Sequence, residues 1–155
     1  MRAGFLQWSR VGRQVLIVDG HSIIFAWDEL RRQHARRNIL AREALVKLLT
    51  EYHDFSGVHV AVVFDGQGIK VSEETEPGGI QVFYSGSGQT ADDVIERLVA
   101  KYAAENEITV ATDDLLEQQT AITFGAQCLS SDALKSLLED SSGELQRQLK
   151  RRNAK

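Results

Sequence analysis

Short apolar runs along the chain alternate with longer segments of helical period. The runs are rich in β-branched residues and are too short for helices. They predict five strands, at residues 15–18, 59–64, 80–84, 108–111 and 126–129. Residues 39–52 and 91–104 place apolar side chains every three or four positions, which predicts two amphipathic helices. Further helices are expected to begin near Asp114 and Asp132, the former ending at Gly125.

Strands that alternate with helices favour a parallel sheet, because parallel neighbours need crossover connections. The sequence therefore predicts an α/β fold with three layers, α/β/α, around a five-stranded parallel sheet. One long irregular segment is predicted at residues 66–79, which hold the only proline and four of the twelve glycines. Such segments are typically functional lids or disordered, and both interpretations stand.

A chain of 155 residues with 43% hydrophobic content has the length of one domain with a buried core. We expect an N-terminal extension at residues 1–14, the domain at 15–140 and a basic tail at 141–155. The single cysteine, Cys128, excludes an intramolecular disulfide framework and a cysteine zinc cluster, and suits a reducing compartment. No apolar run approaches about 18 residues, so we expect a cytoplasmic protein without a membrane partner.

Aspartates follow three of the predicted strands at the point where each strand ends. Asp19 ends the first strand, Asp65 follows the second, and Asp113 and Asp114 follow the fourth. The carboxyl ends of parallel strands share one edge of a sheet, and ligands bind there where the strand order reverses. With a strand order of 3-2-1-4-5, Asp19 and Asp113 would flank that crevice.

The segment TADDVIERL adds two more acidic residues to the same edge. Thr90 and Asp93 have the spacing of a capping box, which predicts a helix that begins where the third strand ends. Asp92 lies beside them in the first turn. Compensation of the helix dipole explains one acidic residue in this turn, but it explains neither the second nor the three matching strand ends.

Carboxylates gathered at one edge repel one another when ionised, so each is driven toward protonation unless a cation joins them. Oxygen ligands without cysteine or a histidine pair favour Mg²⁺ or Mn²⁺ over zinc. A single aspartate at a strand end is more often a loop cap, so the metal prediction depends on the convergence of several. Such a site can activate water and shield a phosphate under attack, as nucleases and other phosphoryl-transfer enzymes do.

The net charge of −4 gives no global attraction for nucleic acid, so phosphate contacts would come from local basic clusters. One such cluster is RRQHARR, at residues 31–37, with the candidate phosphate-binding residues Arg31, Arg32, Arg36 and Arg37. A solvated helix end explains these arginines equally well.

Five motifs, taken together and in order, resemble the YacP-like NYN domains of the PIN-like nuclease superfamily. They are VDGHS, VVFDG, TADDVIERL, ATDDLLEQ and FGA, and the resemblance covers residues 15–139. It implies a metal-dependent endoribonuclease with a sheet of order 3-2-1-4-5 and an acidic centre that binds Mg²⁺ or Mn²⁺. The implied substrate is RNA, single-stranded or messenger RNA, with the ribosome as a further partner. The oligomeric state is left open.

The resemblance also assigns roles to the acidic residues. The residues that match the acidic positions of the family motifs, and are therefore the expected catalytic and metal-binding groups, are Asp19, Asp92 and Asp113. Asp65 stands where the family also has an aspartate and is expected to support the metal site. The adjacent Asp93 and Asp114 are expected to substitute or assist as ligands.

One motif departs from the family pattern. The family's VDGYN is VDGHS here, with His21 and Ser22 in place of tyrosine and asparagine, and both are candidate substrate contacts. A serine hydroxyl offers one donor where an amide offers two, which affects substrate positioning more than metal binding. The departure supports an alternative function, an RNA- or ribosome-binding module with weakened catalysis.

Two other functions fit less well. VDGHS and TADDVI also resemble the 5′-nuclease domains of DNA polymerases, which would imply a DNA hydrolase. Those domains carry a helical arch and a duplex-binding region, for which 155 residues leave no room. A phosphatase or a nucleotide-binding domain of Rossmann type fits worse, because no GxGxxG follows the first strand and VDGHS lacks the second aspartate of a DxD motif.

Overall fold

The computed structural model describes residues 12–68, 72–75, 79–86 and 88–153. Residues 1–11, most of the predicted N-terminal extension, lie outside the described residues. The strands are β1 (Gln14–Asp19), β2 (His59–Gly68), β3 (Ser72–Thr75), β4 (Gln81–Gly86), β5 (Glu107–Ala111) and β6 (Gln127–Leu129). The helices are α1 (Gly20–Ala26), α2 (Asp28–Arg36), α3 (Asn38–Ser56), α4 (Ala91–Tyr102), α5 (Leu115–Thr123) and α6 (Ser131–Asn153).

The strands form one sheet in the order β3-β4-β2-β1-β5-β6, with β1 near its centre. β1 pairs in parallel with β2 and β5, β2 pairs in parallel with β4, and β5 with β6. Without β3, the parallel strands have the predicted order 3-2-1-4-5. Apolar clusters lie on both faces of the sheet, so the predicted three-layer α/β fold is confirmed.

One edge strand was not predicted from the sequence pattern. β3 pairs antiparallel with β4 and lies within residues 66–79, where the pattern predicted an irregular segment. That prediction is wrong for the strand residues of this stretch, since β2 also continues to Gly68. An uncovered β4 would expose a row of unpaired backbone groups, and β3 supplies partners for them without needing an apolar pattern. Residues 69–71 and 76–78 lie outside the described part.

The central strand β1 is covered on both faces, which explains why its residues 15–18 are all apolar. Val15 and Ile17 pack in the cluster that includes α4, whereas Leu16 and Val18 pack in the cluster that includes α1 and α3. A parallel strand covered on both faces needs apolar residues at every position rather than at alternate ones. Trp27 packs in the same cluster as Ile23 and Leu30, with 7% of its surface exposed.

Four helices begin at the carboxyl edge of the sheet. α1 starts directly after β1, α4 after β4, α5 shortly after β5, and α6 shortly after β6. At the far end of the chain, α6 runs without a break from Ser131 to Asn153 and so crosses the predicted boundary at residue 140. The basic residues of the predicted tail up to Arg152 therefore lie along a helix, and the domain boundary itself stays a prediction.

Candidate metal centre

Asp19 ends the central strand and is buried, with 5% of its surface exposed. Its carboxylate caps α1, because Oδ1 accepts a hydrogen bond from the backbone N–H of Ser22 at 3.3 Å. Oδ2 accepts a second hydrogen bond from the hydroxyl of Thr112 at 3.2 Å. The strand thus delivers a carboxylate to a helix N-terminus, where a negative charge is favoured.

The next residue, Gly20, has no space for a side chain. A Cβ atom there would lie 2.4 Å from the ring of Phe64 on β2 and 2.9 Å from the carbonyl oxygen of Val63. Glycine permits this close approach, so α1 can start immediately after Asp19. The glycine of the VDG motif therefore helps to hold Asp19 at the edge of the sheet.

Two further carboxylates reach Asp19 from the helices that begin beside it. Asp92 lies in the first turn of α4 and Glu117 in the first turn of α5. One oxygen atom from each of the three side chains lies within 4.8 Å of the others. Glu117 is buried, with 7% exposed, whereas Asp92 is exposed. We refer to Asp19, Asp92 and Glu117 as the carboxylate cluster.

Burial and mutual repulsion raise the pKa of both buried members of the cluster. Burial is the largest cause of the raised pKa of Asp19; the hydrogen bond from Ser22 opposes it, and the charge of Asp92 adds to it. Burial, together with the neighbouring carboxylates of Asp92 and Asp19, raises the pKa of Glu117 from 4.5 to about 10. Without a cation, the cluster therefore retains a proton at neutral pH.

The surroundings of Glu117 fit a divalent cation. Among the described residues, no N–H or O–H donor reaches either of its two buried carboxylate oxygens. The groups close to them are the carboxylates of Asp19 and Asp92, which are themselves acceptors when ionised. A buried carboxylate without a donor is costly, and a cation would supply the missing partner. An all-oxygen ligand set suits hard divalent ions of the Mg²⁺ and Mn²⁺ type.

The structure does not bring Asp113 into the carboxylate cluster. Its Oδ1 accepts the backbone N–H of Ser131 at 2.7 Å, and its Oδ2 accepts the hydroxyl of the same residue at 2.6 Å. The N–H of Asp113 donates to the hydroxyl of Ser22 at 2.9 Å, and the indole N–H of Trp27 donates to the carbonyl of Ser131 at 3.1 Å. Asp113 therefore links α1, the end of β5 and the start of α6. A ligand role for Asp113 stays a prediction.

Glu117 was not among the predicted ligands, because its position has a simple structural explanation. It lies three residues after Asp114, whose Oδ1 caps α5 by accepting the N–H groups of Leu116 and Glu117 at 2.9 and 3.3 Å. An acidic residue at that spacing normally returns a hydrogen bond to the cap. Here its carboxylate joins Asp19 instead. The signal for Glu117 was the glutamate of ATDDLLEQ, in the first turn of a helix that begins at the acidic edge.

Asp93 and Asp65, two other predicted ligands, hold the start of α4. The predicted capping box is confirmed: Asp93 accepts the N–H of Thr90 at 3.1 Å, and Thr90 accepts the N–H of Asp93 at 3.2 Å. Asp65, on β2, accepts a hydrogen bond from the N–H of Ala91, the first residue of α4, at 3.1 Å. Both residues thus fix the helix that carries Asp92, and metal ligation by Asp65, Asp93 or Asp114 stays a prediction.

The predicted substrate contacts lie on α1, on α2 and directly after α2. His21 is exposed, and its Nδ1 lies 4.0 Å from Oδ2 of Asp65. The hydroxyl of Ser22 is engaged by Asp113, as described above. The predicted arginines are exposed, on α2 and directly after it: Arg31, Arg32, Arg36 and Arg37. Arg31 pairs with Asp28 at 2.6 Å. Substrate binding by these residues stays a prediction.

Two cavities lie at opposite edges of the sheet. A groove of about 170 Å³ between α4 and α5 is lined in part by Asp92, Leu116 and Glu117. A cavity of about 340 Å³ lies at the amino edge, beside Gln14 and Glu107. Two members of the carboxylate cluster, Asp92 and Glu117, thus line the smaller groove.

The parallel sheet of order 3-2-1-4-5, with carboxylates converging at its carboxyl edge, defines the class of PIN-like nuclease domains. Within this class the chain belongs to the YacP-like NYN domain family, whose sequence model matches residues 16–155. Membership of this family indicates a nuclease-type hydrolase that acts on nucleic acid.

Relatives from Bacillus subtilis support this assignment. The chain is 33% identical to the uncharacterized protein YacP of strain 168 over 140 residues, which is 89% of this chain and 80% of that protein. A crystal structure of a mutant of Rae1 (YacP) is similar with a TM-score of 0.76 and 29% identity, over 92% of this chain and 84% of that one. A second crystal structure of Rae1 (YacP) has a TM-score of 0.74 and 29% identity, over 91% and 82%.

Within the described ranges, none of the helices combines the length and the apolar character needed to cross a bilayer.

Proposed function

We propose that this protein is a metal-dependent endoribonuclease that hydrolyses RNA phosphodiester bonds in the cytoplasm. The proposal assigns Asp19, Asp92 and Glu117 as the ligands of Mg²⁺ or Mn²⁺. The observation that supports it most is the convergence of these three carboxylates around the buried oxygens of Glu117, which lack a donor from the described residues.

Each member of the cluster has a distinct part in this proposal. Asp19 and Glu117 are buried and fixed by the starts of α1 and α5, so they define the floor of the site. Asp92 is exposed and lies on the open side, where a substrate phosphate would approach. A divalent cation held there would supply Lewis acidity toward a phosphoryl oxygen and make water a stronger nucleophile at neutral pH.

Neighbouring acidic residues act in this proposal by positioning the cluster. Asp65 holds the first residue of α4, and Asp114 caps the first turn of α5. Asp113 fixes the start of α6 against α1 through Ser131. We infer that these three carboxylates orient the helices rather than bind the cation, because among the described residues the oxygens that converge within 4.8 Å of one another belong to Asp19, Asp92 and Glu117. Effective metal catalysis depends on such support, because misplaced ligands bind the cation weakly.

The exposed arginines of α2 support RNA as the substrate. Three of them lie on this helix, which follows α1 and contacts it through the rings of His34 and Phe25. They offer phosphate contacts that would offset the repulsion between the acidic cluster and a polyanion. The proposal includes single-stranded or messenger RNA as substrate and the ribosome as partner, as the family resemblance implies.

Cleavage assays on matched variants test the proposal. The protein, Asp19→Asn and Glu117→Gln are incubated with single-stranded RNA and with DNA of the same sequence, in Mg²⁺, Mn²⁺ or EDTA. Glu96→Gln is the control, because Glu96 is an exposed carboxylate on α4 that lines the same groove. We expect the parent and the control to cut RNA only with a divalent ion, and both site variants to lose cutting while remaining folded by circular dichroism.

Undiminished cutting by Asp19→Asn would contradict the assignment of the site. Cutting of DNA in preference to RNA would favour the alternative of a 5′-nuclease-like DNA hydrolase. RNA binding without turnover in either metal, on free RNA and on ribosomes, would favour the binding module. Ser22, which first suggested that module, has a structural role here as the acceptor for Asp113.

A further inference from the structure

Aromatic rings stand in a row beside the carboxylate cluster. The ring of His21 lies 4.6 Å from the ring of Phe25, measured between centroids, with an angle of 46° between their planes. Phe25 in turn meets the ring of His34 edge-on, at 4.7 Å and 61°. We refer to His21, Phe25 and His34 as the aromatic row. It joins the outer faces of α1 and α2.

The core does not require the aromatic row. The residues by which α1 packs into the core are Ile23, Ile24 and Trp27, all buried. Phe25 lies on the other face and keeps 39% of its surface exposed. His21 stands one turn before it on that face, with 63% of its side chain exposed. An exposed pair of rings in contact with each other, next to a polar site, indicates a surface that binds something flat.

The position of the row relates it to the proposed chemistry. α1 begins at Asp19, so His21 lies two residues from a member of the carboxylate cluster. Its Nδ1 is also 4.0 Å from Oδ2 of Asp65 at the end of β2. The far end of the row lies on α2, among the exposed arginines. If the phosphate of a nucleotide lay at the acidic edge, its base would thus lie near the aromatic row, and the neighbouring part of the RNA strand would lie near the arginines of α2.

We propose that the aromatic row is a nucleobase-binding subsite, in which one base of a single-stranded RNA stacks on the exposed ring of His21. Phe25 supports that ring from behind, and His34 supports Phe25. The proposal rests on the proposed function and adds to it a specific contact for the base next to the scissile phosphate. Every base has a π-face, so this contact would hold the strand without selecting one sequence.

A base-deletion cycle tests the subsite. The probe is a fluorescein-labelled single-stranded RNA of about 12 nucleotides, with companions in which one nucleotide at a time is abasic. Affinities are measured by fluorescence anisotropy in EDTA, so that no cleavage occurs. The variants are His21→Ala, which removes the platform, and Phe25→Leu, which keeps apolar volume but removes the supporting ring. The control is Phe124→Ala, because Phe124 is an aromatic residue that is likewise exposed, by 43%, but lies outside the aromatic row, directly after the last residue of α5.

We expect His21→Ala to weaken RNA binding by about 5- to 100-fold, as the loss of one stacked base would. Phe25→Leu should weaken it by about 2- to 10-fold, and Phe124→Ala should leave it unchanged. In the parent, one abasic position should cost a similar factor, and that cost should disappear in His21→Ala. An abasic penalty that persists in His21→Ala would overturn the subsite and indicate a phosphate contact by His21.

These outcomes are separate from those of the proposed function. A parent protein that cuts RNA while His21→Ala binds as tightly as the parent would refute the subsite and leave the nuclease intact. A parent protein that binds RNA with a ring-dependent abasic penalty, but never cuts it, would support the subsite and refute the nuclease. Absence of measurable RNA binding by the parent would refute the subsite directly.

Discussion

Replacing Glu117 by glutamine should stabilise the metal-free protein while it abolishes metal-dependent cleavage. Glu117 is buried beside two other carboxylates, and its raised pKa of about 10 means that the folded protein keeps this proton above pH 4.5. The unfolded chain releases the proton near pH 4.5, the ordinary value. Folding therefore costs more as the pH rises from about 4.5 toward 10, and the stability contributed by the protonated group is lost across that window. A glutamine has no proton to release and escapes this cost.

The size of the effect follows from the width of the window. Each pH unit above 4.5 costs about 1.4 kcal/mol while the folded group stays protonated, which sets an upper bound of about 4 kcal/mol near pH 7.5. Asp19 shares the repulsion and can take up part of it. We therefore expect Glu117→Gln to raise the free energy of unfolding by about 2–3 kcal/mol near pH 7.5. Domains of this size have a total stability of roughly 5–15 kcal/mol, so the change is measurable.

Urea denaturation in EDTA at several pH values between about 5 and 8 measures this effect. The difference between Glu117→Gln and the parent should be small near pH 5 and should grow with pH. Glu96→Gln, the same change at an exposed position of the adjacent groove, should show no such growth. Excess Mn²⁺ should then stabilise the parent more than Glu117→Gln, because only the parent keeps all three carboxylates.

If the difference in the free energy of unfolding between Glu117→Gln and the parent stays constant from pH 5 to 8, this reasoning is refuted. A variant that is less stable than the parent in EDTA would also refute it, because that result would show that the glutamate is held by donors that the geometry does not contain. Equal stabilisation of both proteins by Mn²⁺ would remove Glu117 from the metal centre.

Four further substitutions separate structure from chemistry. Gly20→Ala should lower the free energy of unfolding by about 1–3 kcal/mol, because the new Cβ would overlap the ring of Phe64 on the neighbouring strand. Gly143→Ala, at an open helical position, should instead raise the free energy of unfolding by roughly 0.5–1 kcal/mol in the same urea assay. Asp113→Ala should cost about 1–2 kcal/mol by removing the acceptor for Ser131, and calorimetry should still find Mn²⁺ binding, weaker than that of the parent by about 10- to 100-fold at most; a complete loss of Mn²⁺ binding would make Asp113 a ligand after all. Asp92→Asn, at an exposed position, should change stability by less than about 0.5 kcal/mol and reduce cleavage by about 100-fold or more; cleavage within a few-fold of the parent would exclude it from the site.

Local features of the site were visible in the sequence. The capping box of Thr90 and Asp93 involves residues three positions apart, and its spacing alone predicts the contact. The placement of Asp19 at the end of a fully buried strand followed from the apolar run before it. Both Asp19 and Asp92 were predicted to lie at one edge, and the structure brings them together.

The identity of the third carboxylate was beyond the sequence pattern. Asp113 follows a central strand and was the natural candidate, whereas Glu117 had the spacing of an ordinary helix cap. In the structure, the side chain of Asp113 turns to Ser131 and Glu117 turns to Asp19. Whether Glu117 faces the cluster depends on how α5 is rotated against the sheet, and Asp113, which precedes that helix, is held by Ser131 at the start of α6. That rotation is set by packing between distant parts of the chain, which residue spacing does not report.

The sequence by itself determined the alternation of strands and helices, the parallel sheet with its acidic carboxyl edge, and the helix caps, because these depend on apolar periodicity and on contacts within one turn. Tertiary structure decided which acidic side chains converge in the cluster, which serve as helix caps, that β3 covers the edge of the sheet, and that the rings of His21 and Phe25 meet. Each of these depends on the relative orientation of packed elements. That orientation is fixed by close packing across the whole core rather than by neighbours along the chain.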